Sequence, residues 1–545
     1  MWVEKFKNLQ NIQLNFCSQY QYYFDINRYH LTRDTKAPVP ERLLSEHISD
    51  ITGVLGGNGA GKTNILEMLC LATKAQDEIN SRFFLVYEDE GQIYYFDKTE
   101  QNKFLIADFA ICADKNGTRL QKLNVIYFSN VYDGSDLDLD TMITDISINH
   151  RVRSSEIFTP EHEKESQVID DLHFIYSESF ALLDYPRPTT VSVKIFKLFW
   201  DRYPKKHLND FDKGLIRMMK AYFQHLKKTN ASMLEHSCVN IQLSLLTKLL
   251  TEFDIPEQST LRKDLKALEI RPSYNSGDIK NIILNLVKTL KKDDQQLKEL
   301  LYTAANLNTA LDSTDFHNIP KCKSTHIAFT LTITQKNISD GEAILKLINY
   351  ITPRQIEWVE LSSGQRAYVN LFSSLWNALQ KQKHKFDALI CIDEGDLYLH
   401  PQLQLEFIDK LVKVLPQLSD NRIQVIITTH SPLLVTDLPG QCLILLTQNE
   451  EGITCAKPGG KTFGGNIYDI YRSIFELHSQ RTGNLSHGYI TQIINILDKP
   501  ELTASDVEEL NASLTIIGDK LLTHHIIKRL NAVSMMPGSN GDSND

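Results

Sequence analysis

The sequence predicts an α/β fold, a mixed sheet flanked by helices, and three segments carry that prediction. Residues 51–69 contain an apolar strand, a glycine-rich loop and an apolar helix in succession. Two further apolar runs, in 387–394 and 423–431, end in polar residues, as buried strands of an open α/β sheet do. With 545 residues, 42% hydrophobic and 23% charged, the chain has a globular composition and room for about three domains of roughly 150 residues.

Composition disfavours several other classes. The apolar runs fall short of the roughly 18 residues that span a bilayer, and the start of the chain has neither a basic nor an apolar leader region. We therefore expect a cytoplasmic protein with no membrane association. The eight cysteines show no CxxC spacing, which predicts neither a zinc site nor a disulfide framework. Cys70, Cys112 and Cys391 lie in apolar segments and are expected in the core.

The glycine-rich loop carries the pattern G-x-x-x-x-G-K-[ST] from Gly56 to Thr63. Glycines let the backbone curl so that successive N–H groups point at phosphate oxygens, and the helix that follows adds its positive N-terminal dipole. The alternative is a glycine-rich turn before a helix, which the strand–loop–helix context disfavours. The predicted nucleotide-binding residues here are Asn58, Gly59, Ala60, Gly61, Lys62, Thr63 and Asn64.

A second signal is the apolar strand that ends in Asp393 and Glu394. Asp393, together with Thr63, is predicted to hold Mg²⁺, and Glu394 to polarise an attacking water. An apolar run followed by two acids is weak evidence alone, because strand ends often carry acids. It gains weight from following the phosphate loop by about 330 residues.

Two shorter signals lie nearby. Leu361–Gln365 (LSSGQ) precedes a helix-like run, so Ser362 and the Gly364 amide suit a second anion site. Taken alone, such a segment is more simply a loop with a helix-capping serine. His430 follows the apolar run 423–427, at the strand end where open sheets bind ligands, although a lone histidine there is more often structural.

The order and spacing of the four elements resemble the ATP-binding-cassette ATPases, in which LSSGQ is the signature motif and the histidine a switch. DEGDLYLHP at 393–401 and the opening VEKFKNLQNIQLNF are similar to the SMC- and Rad50-like ATPases, over about residues 1–130 and 325–475. The resemblance implies ATP and Mg²⁺ as ligands, with Glu394 as the catalytic base and His430 as the sensor of the γ-phosphate.

The same resemblance implies a homodimer or higher oligomer that closes around ATP. Nucleotide contacts from Ser362, Gly364 and Gln365 would then come from the second copy. One departure is that the family's glutamine loop, expected within 124–130, contains no glutamine. Asn130 and Ser129 are the candidates to replace it.

The organisation predicted from these motifs has four parts. An ABC-type ATPase head is divided between 1–130 and 326–455, with a mainly helical lobe inserted at 131–325 and a helical tail at 456–545 whose end is disordered. Helices are expected near 191–200, 208–228, 239–253, 258–269 and 277–308, and along 514–530.

Charge is strongly segregated within the insertion. Residues 133–184 carry 3 basic and 13 acidic groups, whereas 187–230 carry 11 basic and 3 acidic groups interleaved with aromatics. Basic and aromatic residues together suit phosphate contact and base stacking. Equally, the aromatics could form a core and the lysines a solvated face that the acidic segment neutralises. The candidate nucleic-acid contacts are Lys194, Lys197, Arg202, Lys205, Lys206, Arg217, Lys220, Lys227 and Lys228.

Within this class, the DEGDLYLHP segment, the short insertion and the TFGGNIYDI tail are similar to the PtuA-type ATPases of Septu and retron-linked antiphage systems. That resemblance implies an ATPase regulating a separate HNH-type nuclease, with DNA or retron RNA–DNA as a candidate ligand. The alternatives are a DNA-repair or chromosome-maintenance ATPase without a toxic effector, a transporter cassette, and a scaffold in which ATP is structural.

Overall fold

The computed structural model describes residues 1–40, 43–99, 104–132, 137, 139–154, 167–196, 232–252, 276–289, 295–319, 326–351, 356–380, 386–449, 452–474 and 482–534. The strands within these ranges are β1 Trp2–Phe6, β2 Leu9–Gln13, β3 Tyr20–Asp25, β4 His30–Thr35, β5 Ile48–Gly56, β6 Phe83–Asp89, β7 Gln92–Asp97, β8 Ile106–Ala107, β9 Cys112–Ala113, β10 Asn124–Ser129, β11 Thr144–Asp145, β12 Thr190–Phe196, β13 His317–Asn318, β14 His326–Thr332, β15 Ile356–Trp358, β16 Ala388–Asp393, β17 Ile423–Thr429, β18 Leu443–Gln448 and β19 Thr454–Pro458.

The α-helices in the same ranges are α1 Lys62–Lys74, α2 Ile148–Ser154, α3 Gln167–Ile175, α4 Met233–Glu252, α5 Ser276–Thr289, α6 Gln295–Ala305, α7 Leu307–Ser313, α8 Ile338–Ile351, α9 Ser363–Gln380, α10 Pro401–Leu418, α11 Pro432–Val435, α12 Ile467–Ser473, α13 Asn484–Leu497, α14 Ala504–Ser513 and α15 Lys520–Ser534.

The main sheet has twelve described strands in the order β11-β10-β16-β17-β5-β18-β19-β2-β1-β6-β7-β9. Its first six strands are mutually parallel, and antiparallel hairpins extend it on the β19 side. Parallel strands are covered on both faces and therefore favour continuous apolar sequence, which ALICID in β16 shows with all six residues buried. The predicted fold class, a mixed α/β sheet flanked by helices, is confirmed.

Helix α1 packs on the parallel strands and fixes the phosphate loop above their carboxyl ends. Ile65, Leu66 and Leu69 of α1 lie in one core cluster with Val125 of β10 and Cys391 of β16. Such burial contributes about 1.5–3 kcal/mol for each large aliphatic side chain. The helix is therefore held against β16, the strand that ends at Asp393, and against its neighbour β10.

A second sheet has four described strands in the order β13-β14-β12-β15; β12 and β13 come from the predicted insertion at 131–325, whereas β14 and β15 follow it in the chain. The predicted helix at 191–200 is wrong over 191–196, which form part of β12. Val191, Val193 and Ile195 alternate inward with at most 1% exposure, so the period is two and the branched residues favour a strand. The predicted helices at 208–228 and 258–269 lie outside the described residues.

Two other helix predictions agree with the structure in part. The helix predicted at 239–253 lies within α4, and the run predicted at 277–308 is divided among α5, α6 and α7. Cys112 is exposed on β9, contrary to the expectation of a core position, whereas Cys70 and Cys391 are buried. A short apolar run at a sheet edge does not distinguish the covered face from the open one.

Residues 1–467 form one compact unit and 468–545 a second. In the second unit, Ile493, Leu510 and Ile526 bring α13, α14 and α15 together around a small core. The helix predicted along 514–530 is interrupted before α15 begins at Lys520. The predicted disordered end beyond 534 lies outside the described residues. None of the helices in the described part of the chain combines the length and apolar character that crossing a bilayer requires.

Candidate nucleotide site

The phosphate loop joins β5 to α1 in the conformation that its glycines permit. Gly59 and Gly61 have φ values of 76° and 91°, in the left-handed region that side chains disfavour. A Cβ atom at Gly61 would also lie 2.7 Å from the Asn8 side-chain oxygen. Asn58 is exposed at the loop tip, and Lys62 begins the helix, so the helix N-terminus faces the loop.

The carbonyl groups of this loop are hydrogen-bonded by side chains that the sequence analysis missed. The Asn8 amide nitrogen donates to the Gly59 oxygen at 3.0 Å, and the Gln448 amide donates to the same oxygen at 2.8 Å. Thr454 Oγ1 donates to the Ala60 oxygen at 2.9 Å. Because a trans peptide directs its C=O and N–H to opposite sides, bonds that hold these carbonyls fix where the following N–H groups point.

Asn8 is the centre of this network. Besides its bond to Gly59, its amide nitrogen lies 3.2 Å from Thr454 Oγ1, and its oxygen accepts from Asn64 at 2.7 Å. The predicted site residue Asn64 thus supports the loop from α1. Asn8 lies in the β1–β2 turn and Thr454 is 446 residues further along the chain, so no local sequence pattern marks the pair.

The Lys62 ammonium group turns back onto its own loop. It donates to the carbonyl oxygens of Gly56 and Gly57, at 3.1 and 3.4 Å, and lies 2.5 Å from His430 Nε2. Because an ammonium group can only donate, His430 Nε2 is the acceptor in this contact. Burial lowers the pKa of Lys62, and the carboxylates of Glu394 and Asp393 oppose that shift.

Asp393 lies at the carboxyl end of β16, with both carboxylate oxygens hydrogen-bonded. Thr63 Oγ1 donates to Oδ2 at 2.8 Å, Thr428 Oγ1 donates to Oδ1 at 2.5 Å, and the Tyr127 hydroxyl donates to Oδ2 at 3.2 Å. Burial raises the pKa of Asp393, although the Thr428 and Thr63 hydrogen bonds oppose this. A buried carboxylate beside a threonine hydroxyl supplies the hard oxygen ligands that Mg²⁺ prefers, so the residues present fit the predicted ion.

Glu394 and His430, the two predicted catalytic residues, are brought together. Glu394 Oε1 lies 3.4 Å from His430 Nε2, with 28% and 36% of the two side chains exposed to solvent. The Glu394 backbone has a φ of 48°, and its N–H donates to Thr428 Oγ1 at 3.0 Å. A left-handed backbone at a residue other than glycine costs free energy and is concentrated at functional sites.

The loop after Glu394 is fixed by buried polar contacts. Asp396 accepts from Thr429 Oγ1 at 2.8 Å, and burial raises the pKa of Asp396. Tyr398 extends outward with 66% exposure and a φ of 70°. His400 then caps α10 by accepting from the Gln402 N–H through its ring.

The LSSGQ segment begins α9 as a reciprocal capping box. The Ser362 N–H donates to Gln365 Oε1 at 2.9 Å, and the Gln365 N–H donates to Ser362 Oγ at 3.3 Å. Gly364 is buried where a Cβ would lie 2.6 Å from Leu403 of α10. Ser362 is exposed, and within the described residues no hydrogen bond or ion pair joins this segment to the phosphate loop of the same chain.

The structure describes one of the candidate nucleic-acid contacts. Lys194 is an exposed residue on β12. The others lie outside the described residues, namely Lys197, Arg202, Lys205, Lys206, Arg217, Lys220, Lys227 and Lys228. The nucleic-acid interface therefore stays a prediction.

Comparison with known proteins identifies the family. A family model described as AAA ATPase domain matches residues 29–435. The chain is 28% identical to the Septu protein PtuA of Bacillus mycoides (strain KBAB4) over 172 residues, which are 30% of this chain and 22% of that protein. It is 22% identical to the Retron Ec83 probable ATPase of Escherichia coli over 263 residues, 46% of this chain and 47% of that protein.

Among solved structures, a crystal structure of the SmcHead bound to the C-winged helix domain of ScpA aligns with 84% of this chain and 97% of that one, at 10% identity and a TM-score of 0.24. The chain spans less than half the length of each curated relative named above. The predicted resemblance to PtuA-type ATPases, and with it the ATPase class, is confirmed. The match covers most of the chain, which therefore belongs to the AAA ATPase domain family.

Proposed function

We propose that this chain binds Mg-ATP and hydrolyses it in a composite site shared by two copies, and that the resulting dimer controls a separate nuclease in antiphage defence. The observation that carries the proposal is the 2.8 Å contact between Thr63 and Asp393. It joins the helix that follows the phosphate loop to the end of a strand 330 residues away. A threonine hydroxyl and a buried carboxylate at that spacing suit a magnesium ion beside a nucleotide phosphate.

Each residue has a role that its surroundings support. In the proposal, the loop amides and Lys62 bind the β- and γ-phosphates, and Lys62 exchanges its present carbonyl acceptors for phosphate oxygens. Thr63 and Asp393 hold the metal ion, which when bound neutralises charge on the phosphates. Glu394 accepts the proton of the attacking water, and His430 donates to the γ-phosphate once Lys62 has moved away.

The exposed position of Ser362 in the LSSGQ segment supports a two-copy site. Ser362 has its side chain at an exposed helix N-terminus, which favours an anion, yet within the described residues its bonds are local. Two chains related by a two-fold axis can each present this helix end to the other's phosphate loop. Ser362, Gly364 and Gln365 then complete the site across the interface, and ATP links the two copies.

The proposed effector is a separate HNH-type nuclease. This part rests on the relatives, one called a Septu protein and another a retron probable ATPase, and on the resemblance to PtuA-type ATPases that the sequence carries. DNA or retron RNA–DNA is the proposed nucleic-acid ligand, bound through the basic segment that includes Lys194. Hydrolysis that opens the dimer would release or activate the nuclease.

ATP hydrolysis and partner binding are tested separately. The wild-type chain should release phosphate from ATP only when Mg²⁺ is present, whereas the Lys62→Ala and Glu394→Gln variants should each lose at least about 100-fold in turnover. Lys62→Ala should also lose nucleotide affinity, because it removes the phosphate-binding cation. Equal turnover in wild type and both variants would contradict the proposed site.

For the effector, the Glu394→Gln chain would be isolated with Mg-ATP from its native cell, and everything bound to it identified. A stoichiometric nuclease that leaves when ATP is removed supports the regulatory role. A homodimer that carries DNA but no nuclease would instead favour a DNA-repair or chromosome-maintenance ATPase. The Lys62→Ala chain is the control, since it should retain no partner that depends on the ATP-bound state.

A further inference from the structure

Strand β10 reaches the candidate metal site from the side opposite to β17. It pairs in parallel with β16, placing Tyr127 beside Cys391 and Ser129 beside Asp393. Residues two apart on a strand share a face and lie about 6.6 Å apart along it. The tyrosine side chain is long enough to span that step, which brings its hydroxyl to Asp393 rather than to its direct neighbour.

The Tyr127 hydroxyl and the Thr63 hydroxyl donate to the same oxygen of Asp393. The distances to Oδ2 are 3.2 Å from Tyr127 and 2.8 Å from Thr63, while Thr428 occupies Oδ1. If Thr63 turns its oxygen toward a metal ion, its bond to Asp393 is lost. Tyr127 and Thr428 then remain as one donor to each carboxylate oxygen. A donor on each oxygen opposes rotation of the carboxylate plane.

The end of β10 is itself anchored to the loop that follows Asp393. Asn130 is 2% exposed, and its amide nitrogen donates to the Gly395 carbonyl at 3.2 Å. Gly395 itself packs closely against β16, since a Cβ there would lie 2.4 Å from Ile392 Cγ2. Tyr127 therefore approaches Asp393 from a strand whose carboxyl end is hydrogen-bonded, through Asn130, to the loop that follows Asp393.

We infer that Tyr127 is a positioning residue for the magnesium site, whose hydroxyl holds the Asp393 carboxylate in its metal-binding orientation when Thr63 turns to the ion. Asn130 keeps the strand end in register for that contact. Together they give the 124–130 segment a link to the metal site although it has no glutamine. The inference rests on the proposed function, since it assigns a role within the same Mg-ATP site.

The test compares two tyrosine-to-phenylalanine variants. Tyr127→Phe removes one oxygen and keeps the buried ring. Tyr176→Phe is the control, because its hydroxyl also donates within the protein, to the Ile333 carbonyl, but Tyr176 makes no contact with Asp393 among the described residues. Binding of a fluorescent ATP analogue would be titrated with Mg²⁺, with parallel samples in EDTA and a thermal melt of each variant.

Tyr127→Phe should raise the Mg²⁺ concentration for half-maximal binding about 10-fold, the usual scale for loss of a group that orients a metal ligand. Binding in EDTA should be unchanged in both variants, and Tyr176→Phe should follow the wild-type Mg²⁺ curve. A Tyr127→Phe curve that superimposes on the wild type overturns the inference. A shift matched by Tyr176→Phe overturns it as well, since that result would mean a general loss of stability.

The Mg²⁺ titration of the wild-type protein distinguishes failure of the Tyr127 positioning role from failure of the proposed Mg-ATP function. If wild type binds nucleotide with a clear Mg²⁺ dependence and Tyr127→Phe does not differ, the positioning role alone fails. If wild type shows no Mg²⁺-dependent binding, the proposed function fails and the inference with it. Mn²⁺ electron paramagnetic resonance of the bound ion gives a readout independent of turnover, and its linewidth should broaden in Tyr127→Phe only.

Discussion

Replacing Asn8 by aspartate should weaken nucleotide binding without unfolding the protein. The substitution keeps the side chain's shape and its acceptor oxygen, so the 2.7 Å bond from Asn64 survives. It removes the amide donor to the Gly59 carbonyl and places a carboxylate oxygen about 3 Å from that carbonyl oxygen. It also competes for the single Thr454 hydroxyl proton, which now goes to Ala60.

The size of the effect follows from these contacts. The substitution removes two donor bonds of the Asn8 amide, to the Gly59 carbonyl and to Thr454 Oγ1; the Gly59 bond alone is worth about 1 kcal/mol, and the repulsive oxygen pair adds a comparable amount. The Gln448 amide still donates to the Gly59 carbonyl at 2.8 Å, so that oxygen is not left without a donor. A net loss of about 1.4 kcal/mol in the phosphate-binding conformation corresponds to a 10-fold rise in Kd.

The assay is equilibrium binding of Mg-ATP and Mg-ADP to Asn8→Asp, compared with Asn11→Asp. Asn11 lies on the same hairpin, and its oxygen accepts from the Trp2 indole N–H, a bond that aspartate can retain. The control therefore carries the same charge change without losing a donor to the loop. Weaker binding of both nucleotides by Asn8→Asp alone is expected. Equal Kd values for the two variants would refute the role assigned to the loop carbonyl bonds.

Three further results are expected. His430→Ala should lower kcat for phosphate release at least about 10-fold with a smaller change in KM, because the lost imidazole lies 3.4 Å from Glu394. A change confined to KM would contradict the catalytic role of His430. Gly395→Ala should destabilise the fold by about 1–3 kcal/mol in denaturant unfolding, since its Cβ would meet Ile392 at 2.4 Å; an unchanged midpoint would count against that packing. Burial raises the pKa of Asp171 to about 6, so the contribution of Asp171 to stability should fall as pH rises from about 4 to 6. The gain of Asp171→Asn over wild type should therefore grow across that window in thermal melts; a gain that does not vary with pH would contradict the raised pKa.

The parts of the site that could be predicted from the sequence are those encoded in short contiguous runs. The phosphate loop ending at Thr63, the strand ending at Asp393 and the histidine at 430 each combine a buried strand with a polar end, and local sequence records both features. Their convergence follows from the rule that the carboxyl ends of parallel strands meet at one sheet edge.

The supporting contacts could not be predicted in the same way. Asn8 and Gln448 reach the loop from hairpins at opposite ends of the chain, and an asparagine in a turn has the same local pattern with or without a distant partner. Tyr127 sits in an apolar strand, where its ring suits a core position and its hydroxyl gives no sequence signal. The sequence of strand β12 is wrongly predicted as a helix because a short apolar run fits both the helical period of 3.6 residues and the strand period of 2 residues.

The central claim is that Mg-ATP joins two copies of this chain through the LSSGQ segment. The most direct measurement is the molar mass of the Glu394→Gln chain in solution by light scattering, with and without Mg-ATP, beside the same variant carrying Ser362→Arg. A rise from the 62.4 kDa monomer to twice that mass with Mg-ATP, absent when Ser362→Arg is added, is the predicted result. A Glu394→Gln chain that stays at the monomer mass while saturated with Mg-ATP would contradict the account.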